Sequence, residues 1–125
     1  MAKRVEPYAF YHFGFEIMQR DPLHQEVCDS SLRRFRSFFG VDPDVCTCLY
    51  SKTFRFMEGK KGSIPQHLLW ALMLMKVYAT EGVLASFAGV TEKTFRKRAW
   101  EYIQAIATLK YEVVSTTIKQ LYFIN

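Results

Sequence analysis

The sequence predicts an all-α fold, a small helical bundle of one domain, from three observations. Apolar residues recur at intervals of three and four residues in several segments, which is the spacing of one helix face. Capping residues or proline precede these segments and glycine follows them, as at Asp42-Pro43 and Gly89. The chain has 125 residues, half of them hydrophobic, which is enough for one core and too few for two domains.

The first 30 residues are the least regular part of this pattern. They are rich in aromatic residues, and we predict an irregular N-terminal arm over residues 1–30. A short helix from Ala9 to Met18 is compatible with this arm, and Asp21-Pro22 would end it.

Residues 31–110 are predicted to form the helical domain. Residues 31–39 carry one apolar stripe and end at Gly40. A second helix starts at Asp42-Pro43, where the missing N–H of proline is harmless, and fades near residue 53. Residues 67–79 are apolar nearly all round, which predicts a helix in the middle of the bundle.

Residues 80–109 carry the pattern of a helix-turn-helix, two helices that meet at a fixed steep angle. Thr80 caps the first helix, and Ala85 supplies the small residue that the crossing requires. Gly89 supplies a turn residue that tolerates positive φ. Val90 follows as the apolar residue that joins the turn to the core.

Thr91 caps the second helix of this unit, which we predict to run from residue 92 to about residue 109. Its apolar stripe consists of Phe95, Ala99, Ile103 and Ile106, with Tyr102 alongside. Residues 111–125 are rich in β-branched and aromatic residues, so we predict an extended C-terminal tail or the first strand of a further domain.

The second helix is also basic, and the whole chain has a net charge of +5, which favours polyanionic partners. Basic side chains on the exposed side of a helix can contact phosphates and base edges. We predict these residues to contact DNA: Thr91, Lys93, Arg96, Lys97 and Arg98. We predict further phosphate contacts from Arg33, Arg34, Arg36, Lys60 and Lys61.

A family resemblance covers residues 32–111, nearly two-thirds of the chain. It rests on the runs LRRFRSFFGVDPDVC and PQHLLWALMLMKVYATEGVLASFAGVTEKTFRKRAWEYIQAIATL. This region resembles the N-terminal part of DDE-superfamily transposases, and it is most similar to the Harbinger-type elements of algae and other protists. The resemblance implies a DNA-binding helix-turn-helix that recognises transposon ends and precedes an RNase H-like, Mg²⁺-dependent nuclease domain.

The resemblance further implies that the first catalytic aspartate of the family follows this region in a D-G-T setting. The sequence contains no such setting, so we expect a truncated or domesticated transposase, or a frame-shifted relic of one, without enzymatic activity. Three cysteines at irregular spacing do not form a disulfide framework, and the apolar run at residues 68–75 is too short to cross a bilayer. We therefore expect an intracellular protein without membrane association, and the resemblance to transposases implies a location in the nucleus.

Other candidate sites have simpler explanations. Cys46 and Cys48, with His24 or His67, suggest zinc, but cysteines two residues apart on a helix point to different faces, so we interpret both as core residues. The Gly-Lys-Lys-Gly run at residues 59–62 lacks the spacing of a phosphate-binding P-loop. We therefore predict no catalytic residue, no metal site, no cofactor and no small-molecule substrate.

The leading prediction is binding of double-stranded DNA through the helix-turn-helix. One alternative is a protein-protein interaction module that uses the aromatic N-terminal region and the tail. The other is that the chain is a fragment of an active DDE endonuclease. Salt-sensitive DNA binding distinguishes the first alternative from the leading prediction.

Overall fold

The computed structural model describes residues 4–19, 27–77 and 79–123, with side chains described up to residue 112. Within these residues the fold is all-α, as predicted, with six α-helices, one short 3-10 turn and no strand. The helices are α1 (Pro7–Ile17), α2 (Asp29–Phe39), α3 (Pro43–Thr53), α4 (Gln66–Lys76), α5 (Glu81–Ala88) and α6 (Glu92–Phe123). The 3-10 turn spans Phe54–Phe56.

Helix α4 is the centre of the bundle. It packs against α1, α2, α5 and α6, and every residue from His67 to Met73 is buried. A helix that is apolar on all sides removes its side chains from water only when other helices pack against it on all sides. The prediction that this segment occupies the middle of the bundle is therefore confirmed.

Helix α1 corrects the prediction of an irregular arm over residues 1–30. Phe10, Tyr11 and Phe15 are essentially fully buried, and α1 packs against α3 and α4. Aromatic residues have modest helix propensity, but the burial of three rings on one face outweighs that preference. Residues 20–26 of the predicted arm lie outside the described residues.

Helix α6 corrects the prediction of an extended tail. It continues without interruption to Phe123, so residues 111–123 are helical and form no strand. The β-branched residues in this stretch disfavour a helix by only a few tenths of a kcal/mol each, roughly. Because α6 is already formed for about five turns before them, extension avoids the cost of nucleation.

The cysteines match the sequence interpretation only at Cys46. Cys46 is fully buried, and burial raises the pKa of its thiol to about 12. Cys48 is exposed, so its interpretation as a core residue is wrong. Cys28 is also exposed and precedes α2, where hydrogen bonds with Ser30 and then with Ser31 lower the pKa of the thiol to about 7.

Candidate nucleic-acid interface

A three-residue turn joins α5 to α6. Gly89 has φ = +76°, the left-handed conformation that the sequence predicts for it. Its N–H donates to the Ser86 carbonyl at 3.2 Å, and the N–H of Val90 donates to the Ala85 carbonyl at 3.1 Å. This pair of bonds is the Schellman motif, which ends a helix and fixes the direction in which the chain leaves it.

Threonine side chains cap the start of both helices. Thr80 Oγ1 accepts a hydrogen bond from the Val83 N–H at 3.3 Å, and Thr91 Oγ1 accepts one from the Thr94 N–H at 3.3 Å. Each bond satisfies a backbone donor that has no partner inside its helix. The predicted caps are therefore confirmed, and the turn consists of residues 89–91.

Core contacts fix how α6 lies against the bundle. Phe95 is fully buried and stacks on Trp70 of α4, with ring centroids 5.7 Å apart and planes 28° apart. Leu84 and Ala85 are buried and form the side of α5 that faces the bundle. Because one face of α6 is held in this way, the opposite face of its first three turns is turned to solvent.

Lys93 and Lys97 occupy that exposed face, one helical turn apart. Within the described part of the chain neither lysine forms an ion pair with a carboxylate. Thr94 is exposed beside them. The first two turns of α6 thus present two uncompensated positive charges next to the positive end of the helix dipole.

Arg96 is exposed, but its charge is already balanced within the protein. Its guanidinium binds Glu81 of α5 at 2.6 Å and Glu92 at 3.1 Å. The hydrogen bond with Glu81 is the main cause that raises the pKa of Arg96. Arg96 therefore connects the first turns of α5 and α6, and a DNA phosphate would have to compete with two carboxylates for it.

The role of these carboxylates was only partly predictable from the sequence. The pair of Glu92 and Arg96 was visible as an i,i+4 spacing. Glu81 is fifteen residues away from Arg96, and only the fold of the two helices brings them together.

Arg98 lies elsewhere than predicted. Its side chain is only 18% exposed and pairs with Glu101 at 3.2 Å. One guanidinium nitrogen lies 2.6 Å from the point where a Cβ on Gly62 would stand, so Arg98 packs against the loop before α4. Arg98 lies on the half-buried flank of α6, and we withdraw it from the predicted DNA contacts.

The remaining basic residues flank the α5–α6 unit. Arg33 and Arg34 are exposed on α2, which contacts α5 through Phe38 and Phe87, whose ring centroids are 5.7 Å apart. Arg36 is held by Asp42 at 2.9 Å. Lys60 and Lys61 are exposed on the loop that Arg98 contacts.

His67 is a buried titratable group in the first turn of α4. Its Nδ1 accepts a hydrogen bond from the Ile64 N–H at 3.2 Å, which orders the start of α4, and its ring lies 4.4 Å from that of Trp70. Burial lowers the pKa of His67 to about 4, and the positive charge of Arg98 acts in the same direction. The folded protein therefore requires the neutral imidazole.

We expect acid to destabilise the fold through His67. An unfolded histidine titrates near 6.5, so below that pH the unfolded state binds the proton first and stability falls towards pH 4. The loss between pH 7 and pH 5 amounts to about 2 kcal/mol, measurable by urea unfolding. His67→Gln keeps an acceptor without a titration, and its loss over this interval is expected to be smaller by that amount. Equal losses in the two proteins would contradict the assignment.

The described residues contain neither a metal cluster nor a membrane-spanning helix. No group of three or more His, Cys, Asp or Glu side chains among them is arranged to hold a metal ion. No helix in the described ranges has both the length and the hydropathy needed to cross a bilayer. Comparison with protein-family models, with curated proteins and with solved structures found no match to this chain.

Proposed function

We propose that this protein binds double-stranded DNA through a helix-turn-helix formed by α5 and α6. The observation that carries the proposal is the combination of a rigid, capped three-residue turn with exposed, unpaired lysines on the helix that follows it. In helix-turn-helix proteins the second helix lies in the major groove, and residues of its N-terminal part contact base edges. We propose that role for residues 92–100.

We rank the proposed DNA contacts by whether a carboxylate of the protein already pairs with the side chain. Lys93 and Lys97 are exposed and without a carboxylate partner among the described residues, so they are the main candidates. Thr91 acts mainly through its cap, which orients the first backbone N–H groups of α6 towards a phosphate. Arg96 takes part only if a phosphate displaces Glu81 or Glu92.

Exposed arginines and lysines on the flanks are proposed to bind DNA phosphates, and such contacts do not distinguish one base sequence from another. These residues are Arg33 and Arg34 on α2 and Lys60 and Lys61 in the loop before α4. They lie on the two elements that contact α5 and α6, and their charge adds to that of the proposed recognition helix. Arg36 is excluded from this set because Asp42 already binds it.

The resemblance to Harbinger-type transposases agrees with this proposal and remains a prediction. On that basis the chain is the DNA-binding part of a transposase-like protein, and its location would be the nucleus. Binding to transposon ends in preference to random duplex of equal length would support this origin. Equal binding to both would leave only non-specific DNA binding.

The test is a salt titration of binding to random duplex DNA. Lys93→Ala with Lys97→Ala is expected to weaken binding and to reduce the slope of log affinity against log salt by about 0.9 for each phosphate contact that the substitutions remove. Removal of a base contact would instead cost about 1–3 kcal/mol at one position of a specific site. Both lysines are exposed, so circular dichroism should stay unchanged.

The single variants Lys93→Ala and Lys97→Ala are compared with Lys52→Ala as a charge-matched control, because it removes one exposed lysine from α3. Its salt slope is expected to equal that of the parent protein. If the Lys93 and Lys97 double variant folds and keeps the parent's affinity and salt slope, α6 is not the helix that contacts DNA.

A further inference from the structure

Two exposed lysines stand at the tip of the loop that joins the 3-10 turn to α4. The loop consists of two successive β-turns, in which the Lys60 N–H donates to the Met57 carbonyl at 3.0 Å and the Ser63 N–H donates to the Lys60 carbonyl at 3.3 Å. Gly62 takes the third position of the second turn with φ = +81°, and type II turns require a positive φ there. We call residues 60–63 the lysine turn. Its two lysines are exposed and form no ion pair among the described residues.

The side chain of Arg98 packs on the lysine turn from α6. Its Nη2 atom lies 2.6 Å, and its Cζ atom 3.4 Å, from the point where a Cβ on Gly62 would stand. Gly62 therefore serves the turn in two ways, because it adopts positive φ and leaves free the space that the guanidinium occupies. A side chain at position 62 would displace Arg98 from the turn.

Glu101 holds the guanidinium in this position. Arg98 Nη1 donates to Glu101 Oε1 at 3.2 Å, and the two side chains are only 18% and 14% exposed. Salt screens such a half-buried pair less than it screens a pair on the open surface. Arg98 is therefore fixed by a carboxylate of its own helix while it contacts the turn.

Arg98 also lies close to the segment that leaves the lysine turn. His67 Nδ1 accepts a hydrogen bond from the N–H of Ile64, the residue directly after the turn. Burial lowers the pKa of His67, and the nearby charge of Arg98 lowers it further. The lysine turn is thus held to α4 through His67 and to α6 through Arg98.

We infer that Arg98 is a positioning residue, which holds the lysine turn beside α6 so that the two lysines of the turn bind the same DNA duplex as Lys93 and Lys97. The inference rests on the proposed function. Position 98 follows Lys97 at about 100° around the helix, so the turn lies beside the exposed basic face. A loop that is already ordered loses less conformational entropy on binding than a free loop. Arg98 thereby supports DNA binding without contacting DNA.

The first measurement is ¹⁵N relaxation of the full chain without DNA. In the parent protein the order parameters of the Lys61 and Gly62 amides are expected at about 0.85, the value of rigid backbone. Arg98→Gln is expected to lower them below about 0.6. Glu101→Ala keeps Arg98 and removes the carboxylate that holds it, so it should lower them as well. The Val90 amide, which donates to Ala85 in the turn before α6, is the internal control and should not change.

The second measurement is a double-mutant cycle on duplex binding across a salt titration. In the parent protein, Lys60→Ala with Lys61→Ala should reduce the salt slope by about 0.9 for each phosphate contact that is lost. Arg98→Gln alone should weaken binding roughly fivefold, and in its background the same lysine pair should change the slope by less than half as much. Lys93→Ala with Lys97→Ala is the matched pair on α6, and its effect should be the same with either residue at position 98.

Circular dichroism checks the fold of each variant, and Glu101→Ala takes the place of Arg98→Gln in both measurements if Arg98→Gln does not fold. Unchanged order parameters in the folded variants overturn the inference, because Arg98 then does not hold the turn. An equal effect of the turn's lysine pair in the parent and in the Arg98→Gln protein also overturns it, while the proposed DNA binding stands. A parent protein that binds no duplex at low salt refutes the proposed function, and the inference falls with it.

Discussion

Replacing Gly89 with valine is expected to lower the free energy of unfolding by about 1–3 kcal/mol, towards the upper end of this range. Gly89 has φ = +76°, and a β-branched residue is strongly disfavoured there. A Cβ at this position would meet no atom within 4 Å outside Gly89 and its two chain neighbours, so the cost is local: at this φ the Cβ crowds the adjoining backbone carbonyl. Loss of the turn would also disorder the start of α6, so the proposed DNA binding should fall with stability.

The matched measurements are urea unfolding curves of three variants. Gly89→Asn should be milder than Gly89→Val, because asparagine tolerates the left-handed conformation. Ser86→Ala, on the exposed side of α5, should stay within about 0.5 kcal/mol of the parent. If Gly89→Val is as stable as Ser86→Ala, the turn does not hold α5 and α6 as described.

Local signals in the sequence predicted this turn well. The Thr80 cap, the end of α5 at Gly89 and the Thr91 cap each depend on a few neighbouring residues, and all three are observed. The start of α3 at Pro43 was predicted in the same way, but the Asp42 side chain makes no capping hydrogen bond and pairs with Arg36 instead. Such features depend on hydrogen bonds and backbone conformations within one turn of the chain, so neighbouring residues are enough to predict them.

Features that depend on distant partners were not predictable in this way. The rings of α1 become a helix face only because α2, α3 and α4 provide a surface that buries them. The charge of Arg96 is taken up by Glu81 from another helix, and Arg98 is covered by a loop more than 30 residues earlier. Sequence alone therefore identified the basic helix correctly but overestimated how many of its charges are available.

The alternative of a protein-interaction module is now restricted to particular residues. The aromatic N-terminal region was one of its two predicted surfaces, and Phe10, Tyr11 and Phe15 are buried in the protein's own core. In the described part of α6 the exposed aromatic residues are Trp100 and Tyr111, so this alternative would have to use them.

The strongest expected effect on stability comes from Gly14 in α1. A Cβ added to Gly14 would overlap Phe35 and would stand 2.8 Å from Cε2 of Phe39, and both rings are essentially fully buried. Glycine to alanine in a helix normally stabilises it by about 1 kcal/mol. Here neither ring has free space, and overpacking of this kind costs about 1–3 kcal/mol or more. We expect Gly14→Ala to lower the free energy of unfolding by about 2–3 kcal/mol.

Gly59→Ala is the matched control for this prediction, because a Cβ at Gly59 would meet nothing within 4 Å and Gly59 does not have positive φ. It should leave the midpoint of urea unfolding nearly unchanged, whereas Gly14→Ala should lower it at a similar slope. The comparison also tests whether α1 belongs to the core. If α1 were the irregular arm that the sequence suggested, Gly14→Ala and Gly59→Ala would have the same small effect. A clear difference between the two requires the close contact of α1 with α2 at Gly14.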